Sequence, residues 1–216
     1  MYMSRIALNP SKRKTMMALA NPNLFHGTVE HAFSGPRTRK LWRIDTLHGQ
    51  RYLLLVSETP PDLTAAVAQF GYDDHPNAAL TKDYTPLLNR IESGSQWHFR
   101  LVANPTHAVP QRKNGKGVRG KVFPHVSPEN QKRWLIEQGT KHGFALTDND
   151  FQIVEDRTFS FRKGKNHRYR ISIVAVTYEG GLRITNAEAF RQTLIEGLGR
   201  EKAFGLGLLT VAGQRP

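Results

Sequence analysis

Strand-like and helix-like stretches follow one another over residues 1–104 in the order βαββαβ, which very few folds can accommodate. Tyr2 to Leu8 alternates as a strand. Asn21-Pro22 marks a helix start, with Asn at the N-cap and Pro at the first helical position, where no amide hydrogen is needed. Phe25, Val29, Ala32 and Phe33 then fall on one face, until Ser34-Gly35-Pro36 stops the helix. Leu41–Asp45 and Tyr52–Val56 flank His48-Gly49-Gln50 as a hairpin. Pro61 to Ala68 reads as a second helix ending near Gly71. After a polar stretch, Trp97–Ala103 reads as the fourth strand.

Residues 105–216 repeat that order more faintly. Val118–His125 reads as a strand, and Ser127-Pro128-Glu129 opens a helix whose face includes Trp134 and Leu135 and which Gly143 closes. Phe151–Phe161 and Arg168–Tyr178 form a long hairpin, and Gly180-Gly181 is read as a turn into Leu182–Thr185. A helix through Phe190, Leu194 and Ile195 precedes a last strand from Phe204 to Val211. The fold expected is α+β: two tandem ferredoxin-like (RRM-like) domains, 1–104 and 105–216, joined near Asn104-Pro105. Element order alone supports the pairing, because the halves share no sequence repeat.

Charge narrows the partner. Lys and Arg number 31 against 18 Asp and Glu, a net +13 that repels itself unless a polyanion is bound. Two stretches, Gln111–Lys121 and Phe161–Arg170, together hold ten Lys or Arg and no acid. Such segregation favours phosphate contacts over a uniformly solvated surface. Arg112, Lys113, Lys116 and Arg119 lie in the first stretch, and Arg162, Lys163, Lys165 and Arg168 in the second. Dense positive charge with no acid to pair with suits a backbone clamp on structured RNA better than a platform for unpaired bases. No cysteine is present, which excludes disulfide and thiolate chemistry and suits a cytoplasmic protein. No apolar run approaches the roughly 20 residues a bilayer demands, so no membrane partner is expected. The N-terminus has no apolar leader-like core and reads as mature protein.

Of the nine histidines, His26 has the most distinctive setting. It stands one turn into the helix that begins at Pro22, where backbone amides attract phosphate and an imidazole can exchange protons near neutrality. A merely structural histidine bordering Phe25 and Val29 fits the same spacing. Metal chemistry lacks its usual motifs: there is no His-Glu-x-x-His, no cysteine set and no calcium-type loop. Neither metal nor small-molecule cofactor is expected. RNA can be cut without either, because its own 2′-hydroxyl attacks the neighbouring phosphorus once general acid-base groups move the protons. The segment Gly197-Leu198-Gly199-Arg200-Glu201-Lys202-Ala203-Phe204-Gly205-Leu206-Gly207 offers positive-φ glycines beside Arg200 and Lys202. It is no nucleotide P-loop, and a helix cap leading into a buried strand accounts for its glycines equally well.

In their order and spacing, several short stretches resemble the CasE family, the repeat-processing endoribonucleases of type I-E CRISPR Cascade complexes. They are Met1-Tyr2-Met3-Ser4, Asn21-Pro22 with His26, Leu41-Trp42-Arg43, Phe99–Pro105, Trp134-Leu135 and the glycine-rich run Gly197–Leu209. The resemblance spans essentially the whole chain. It implies two ferredoxin-like domains, metal-independent cleavage at the 3′ base of a CRISPR repeat hairpin, and product ends bearing a 2′,3′-cyclic phosphate and a 5′-hydroxyl. It also implies retention of the product beside the other Cascade subunits. His26 matches the family's catalytic histidine, and Arg162, Lys163 and Lys165 match an element that enters the groove of the RNA stem. Asn23 departs from relatives that place a tyrosine three residues before that histidine. A repeat-RNA-binding subunit that no longer cuts is therefore the alternative, and a basic ribosome-associated or DNA-binding protein has only composition behind it.

Overall fold

The computed structural model describes residues 1–36, 38–73, 75–113, 116–163 and 169–213; the side chains of 111–113, 116–119, 162–163 and 169–171 lie outside the description. The first unit runs β1 (Tyr2–Ala7), α1 (Arg13–Ala20), α2 (Asn23–His31), β2 (Lys40–Leu47), β3 (Gln50–Ser57), α3 (Thr64–Phe70) and β4 (Ala79–Asp83). Its antiparallel sheet has the order β2-β3-β1-β4, so β3 lies between the two strands that the helices connect. The β2–β3 hairpin closes on His48 and Gly49, at φ 50° and 78°. Two positive-φ residues make the mirror-image turn that matches strand twist.

In the first unit, helix α1 and strand β4 escaped the sequence reading. Helix α1 buries only Thr15 and Ala18 and leaves Met16 and Met17 exposed, too narrow a stripe to register as a period. Strand β4 sits at the sheet edge with Thr81, Lys82 and Asp83 exposed, so it shows no alternation. Because β4 fills the fourth place, the strand assigned there moves: β5 (Gln96–Ala103) belongs to the second sheet, paired with strands far along the chain. The chain therefore passes from sheet to sheet between Asp83 and Gln96, ahead of Asn104-Pro105. Between them lies a short helix, α4 (Thr85–Asn89).

After β5 come β6 (Thr106–Lys113), β7 (Lys116–Pro124), α5 (Pro128–His142), β8 (Phe144–Ala145), β9 (Phe151–Lys163), β10 (Tyr169–Ile184), α6 (Ala187–Glu196) and β11 (Leu209–Gly213). The second sheet has the order β11-β5-β10-β8, with β9 continuing along β10 beside β8. With β8 and β9 counted as one interrupted strand, this is the order of the first sheet, and both units are ferredoxin-like. Strand β7, read as the opening strand of this unit, instead pairs with β6 in a separate ribbon inserted between β5 and α5. Gly180-Gly181 is no turn. β10 runs straight through it, and a Cβ on Gly180 would come within 2.2 Å of the Asp150 carbonyl oxygen, so the glycine permits close strand approach. The α5 signals hold: Ser127 Oγ accepts from the Asn130 amide at 3.4 Å, and Gly143 ends the helix at φ 76°.

Apolar packing joins the two units. One cluster combines Leu41 and Val56 of the first sheet with Trp97, Leu101, Trp134, Tyr178, Phe190 and Leu208 of the second unit. A second cluster, Ile6, Phe25, Val29, Trp42, Leu53 and Phe70, lies under α2 and α3. Among the described residues no helix is long and apolar enough to cross a membrane.

Candidate functional site

The first turn of α2 is set by Asn21, whose Oδ1 accepts from the Asn23 amide at 3.2 Å. Phe25 and Val29 then fix the rotation of the helix. Phe25 packs on Phe70 and Trp42 at centroid distances of 4.9 and 5.8 Å, and both anchors are buried. His26, the next residue round, is only half-buried and lines a cleft of about 350 Å³ with Glu30, Thr38, Arg39, Lys40, Trp42, Lys202 and Ala203. It thus borders the apolar face and also reaches a solvent-open, largely basic cleft. Lys40 neutralises Glu30 across 3.4 Å and sets its ammonium 4.9 Å from the Phe33 ring centre. The acid in this cleft is therefore balanced.

The opposite wall comes from the glycine-rich segment. Glu201 takes a left-handed φ of 61°, and Lys202–Phe204 make one 3₁₀ turn packed against α2. A Cβ on Gly205 would lie 2.6 Å from Cζ3 of Trp42. One on Gly207 would lie 2.6 Å from the Leu198 carbonyl oxygen, while the Gly207 amide donates to Val102 at 2.7 Å. The glycines therefore serve packing, as the simpler reading held. Their effect is to carry Lys202 into the cleft of His26, from the far end of the sequence. Burial holds the Lys202 ammonium below the usual lysine range, with Arg39 adding repulsion and Glu196 opposing it. Arg200 is exposed and does not line this cleft.

Sequence reasoning missed the joint between the units. Arg43 is 1% exposed; its Nε and Nη2 donate to the two carboxylate oxygens of Asp45 at 2.7 and 2.6 Å. Its remaining donors reach the second unit: Arg100 O at 2.9 Å, Leu208 O at 2.6 Å and Thr210 Oγ1 at 2.8 Å. The available signal was a charged pair, Arg43 and Asp45, alternating within an apolar strand. Beside this joint a second cleft of about 350 Å³ runs between the units, its walls including Arg51, Arg100, Arg157, Phe159 and Phe204. Arg100 also bonds Asp45 at 3.2 Å and pairs with Glu179.

The two basic stretches occupy ribbon ends. Arg112, Lys113, Lys116 and Arg119 lie on β6 and β7, with Lys113 opposite Lys116 at the tip. Arg162 and Lys163 end β9 opposite Arg170 and Tyr169. Lys165 and Arg168 fall outside the described residues. At the base of the first ribbon the rings of His107 and His125 lie 4.6 Å apart, and His125 is held below its ordinary range chiefly by burial and then by His107.

A family model described as CRISPR associated protein matches residues 1–213. The chain is 30% identical over 223 residues to the CRISPR-associated endoribonuclease Cse3 of Thermus thermophilus, covering 98% of this chain and 100% of that one. It is 28% identical over 128 residues to the CRISPR system Cascade subunit CasE of Escherichia coli, covering 57% of this chain and 61% of the relative. A solved structure of the CRISPR endoribonuclease Cse3 bound to a 19-nucleotide RNA superposes with a TM-score of 0.80 at 29% identity, with 98% of each chain covered. Sequence and fold agree from one end to the other, and the chain belongs to the CRISPR-associated protein family of Cse3 and CasE.

Proposed function

We propose that this protein is a metal-independent endoribonuclease that cuts CRISPR precursor RNA at the 3′ base of the repeat hairpin. It then stays on its product as a subunit of a cytoplasmic Cascade complex. The observation that carries the reading is His26, held half-exposed by Phe25 and Val29 at a cleft rimmed with cations. A ribose 2′-hydroxyl at the cleavage site loses its proton and attacks the adjacent phosphorus, and the departing 5′-oxygen gains one. His26 acts as general acid or base in that exchange. The ends are a 2′,3′-cyclic phosphate and a 5′-hydroxyl. Arg112, Lys113, Lys116 and Arg119 of the β6–β7 ribbon and Arg162 and Lys163 of β9 grip the phosphates of the stem, together with Lys165 and Arg168 of the same basic stretch of sequence. Arg200, exposed on the glycine-rich segment, adds a further contact.

The test is a labelled repeat RNA mixed with purified protein in EDTA. Site-specific cleavage is expected, and His26→Ala should slow it by roughly 10²–10⁴-fold with little change in binding. A His26→Ala protein that cuts at the normal rate removes His26 from the chemistry. A second reading, a subunit that binds the repeat without cutting it, draws on Asn23 at the position where some relatives carry a tyrosine. It predicts a tight, uncut complex in the same gel. RNA carrying hydrogen in place of the 2′-hydroxyl at the cleavage site should bind and resist cutting; its cleavage would overturn the mechanism.

A further inference from the structure

Two lysines line the cleft of His26, and they are not equivalent. Lys40 is spoken for: its side chain is 4% exposed, paired with Glu30 and seated over Phe33. Lys202 has no ion-pair partner among the described residues and faces Arg39 across the same cleft. A half-buried cation next to another cation is held at a free-energy cost, which an anion in the cleft removes. The position is also fixed. The backbone on either side is pinned by the tight contacts of Gly205 and Gly207, Phe204 packs on Phe161 at 4.9 Å, and the Lys202 Cγ lies alongside Gly207. The charge is thus presented by a rigid loop and not by a freely swinging surface chain.

Building on the RNA-cutting reading above, we infer that Lys202 is a second catalytic residue, whose ammonium touches a non-bridging oxygen of the scissile phosphate and stabilises the charge that develops there during attack by the 2′-oxygen. The step balances without any redox partner. The 2′-oxygen–phosphorus bond forms, the phosphorus–5′-oxygen bond breaks, one proton leaves the 2′-hydroxyl and one arrives on the 5′-oxygen. Between these events the phosphoryl oxygens carry additional negative charge, and a cation that forms no salt bridge among the described residues is suited to that moment. Arg39, exposed on the rim, reinforces the field; Lys40, already neutralised, does not. Burial and Arg39 weaken the hold of Lys202 on its proton while the cleft is empty, so part of the alkaline fall in rate at subsaturating protein, which reports the free protein, comes from its deprotonation.

The experiment is single-turnover cleavage of a repeat hairpin at saturating and at subsaturating protein, the latter from acid to alkaline pH, with wild type, Lys202→Met, Lys202→Arg and His26→Ala. Affinity is measured separately with the 2′-deoxy RNA. Lys202→Met keeps the aliphatic stem and should cut roughly 10²-fold more slowly at saturation, the usual effect of deleting one donor to a developing oxyanion. Its affinity should fall by less than about 10-fold. Lys202→Arg should recover most of the rate and shift the alkaline fall to higher pH, because guanidinium keeps its proton. Loss of affinity with an intact saturating rate would make Lys202 an anchor only and overturn the inference. So would an unchanged alkaline limb in Lys202→Arg, which a purely structural role predicts. If wild type cuts and His26→Ala does not while Lys202→Met cuts normally, the nuclease reading survives and this inference fails. If wild type binds without cutting, both fail together.

Discussion

Replacing Arg43 by Met removes five hydrogen bonds made by a buried side chain at the joint between the units. Two go to Asp45, and three cross to Arg100, Leu208 and Thr210 in the second unit. The larger cost is the charge left behind, since Asp45 is itself only 5% exposed. Removing one member of a buried ion pair typically costs about 3–5 kcal/mol. Arg100 keeps its 3.2 Å contact with Asp45 and softens the loss, which points to the lower end, about 3 kcal/mol. For a chain of this size that corresponds to a fall in Tm of roughly 6–12 °C. Urea unfolding and thermal melts followed by circular dichroism measure it. The control is Arg43→Met combined with Asp45→Leu. With the orphaned carboxylate gone, the double variant should regain much of the stability that the single variant loses. A single variant within about 0.5 kcal/mol of wild type, the range of ordinary surface substitutions, would refute this account of how the sheets are joined.

Two further outcomes follow from other parts of the molecule. Burial pushes the Tyr84 hydroxyl up to about 12, and its oxygen has no hydrogen-bond partner among the described residues, so the folded state holds this proton more tightly than the unfolded state. Its contribution to stability is complete below the ordinary tyrosine value of 10.0 and is lost as pH climbs toward 12. Tyr84→Phe should shrink that alkaline loss and leave neutral-pH stability unchanged or slightly higher; a stability-versus-pH curve that overlays wild type is the contrary result. Charge reversal of Arg162 and Lys163 to Glu should weaken binding to all RNA stems alike and flatten the dependence of log affinity on log salt by something under one unit per lost contact. Unchanged slopes in a filter-binding titration would place the RNA on another surface.

Much of the architecture could be read directly where local chemistry dictates it. Asn21-Pro22, Ser127-Pro128 and Gly143 are terminus signals that tertiary packing has no reason to override, and the α2 and α5 boundaries fall beside them. The hairpin around His48-Gly49 is legible for the same reason. What could not be read depended on partners distant in sequence. Trp97–Ala103 is a convincing strand, yet nothing within it says whether β1 or β10 lies alongside. Gly180 punctuates a sequence as a turn does, and only the approach of Asp150 explains it otherwise. For the candidate site, His26 was found through its place in α2. That Lys202 shares its cleft was invisible, because the glycine-rich loop reveals its neighbour only once Trp42 is seen to fill the space beside Gly205.

That meeting of segments far apart in the sequence bears on when the proposed site can form. The pocket around His26 lacks a wall until residues 202–205 have been translated and laid against Trp42, and Arg43 lacks its carbonyl acceptors until Leu208 and Thr210 arrive. A nascent chain that has not yet made residues 202–210 therefore has His26 but not the cleft proposed to act on RNA.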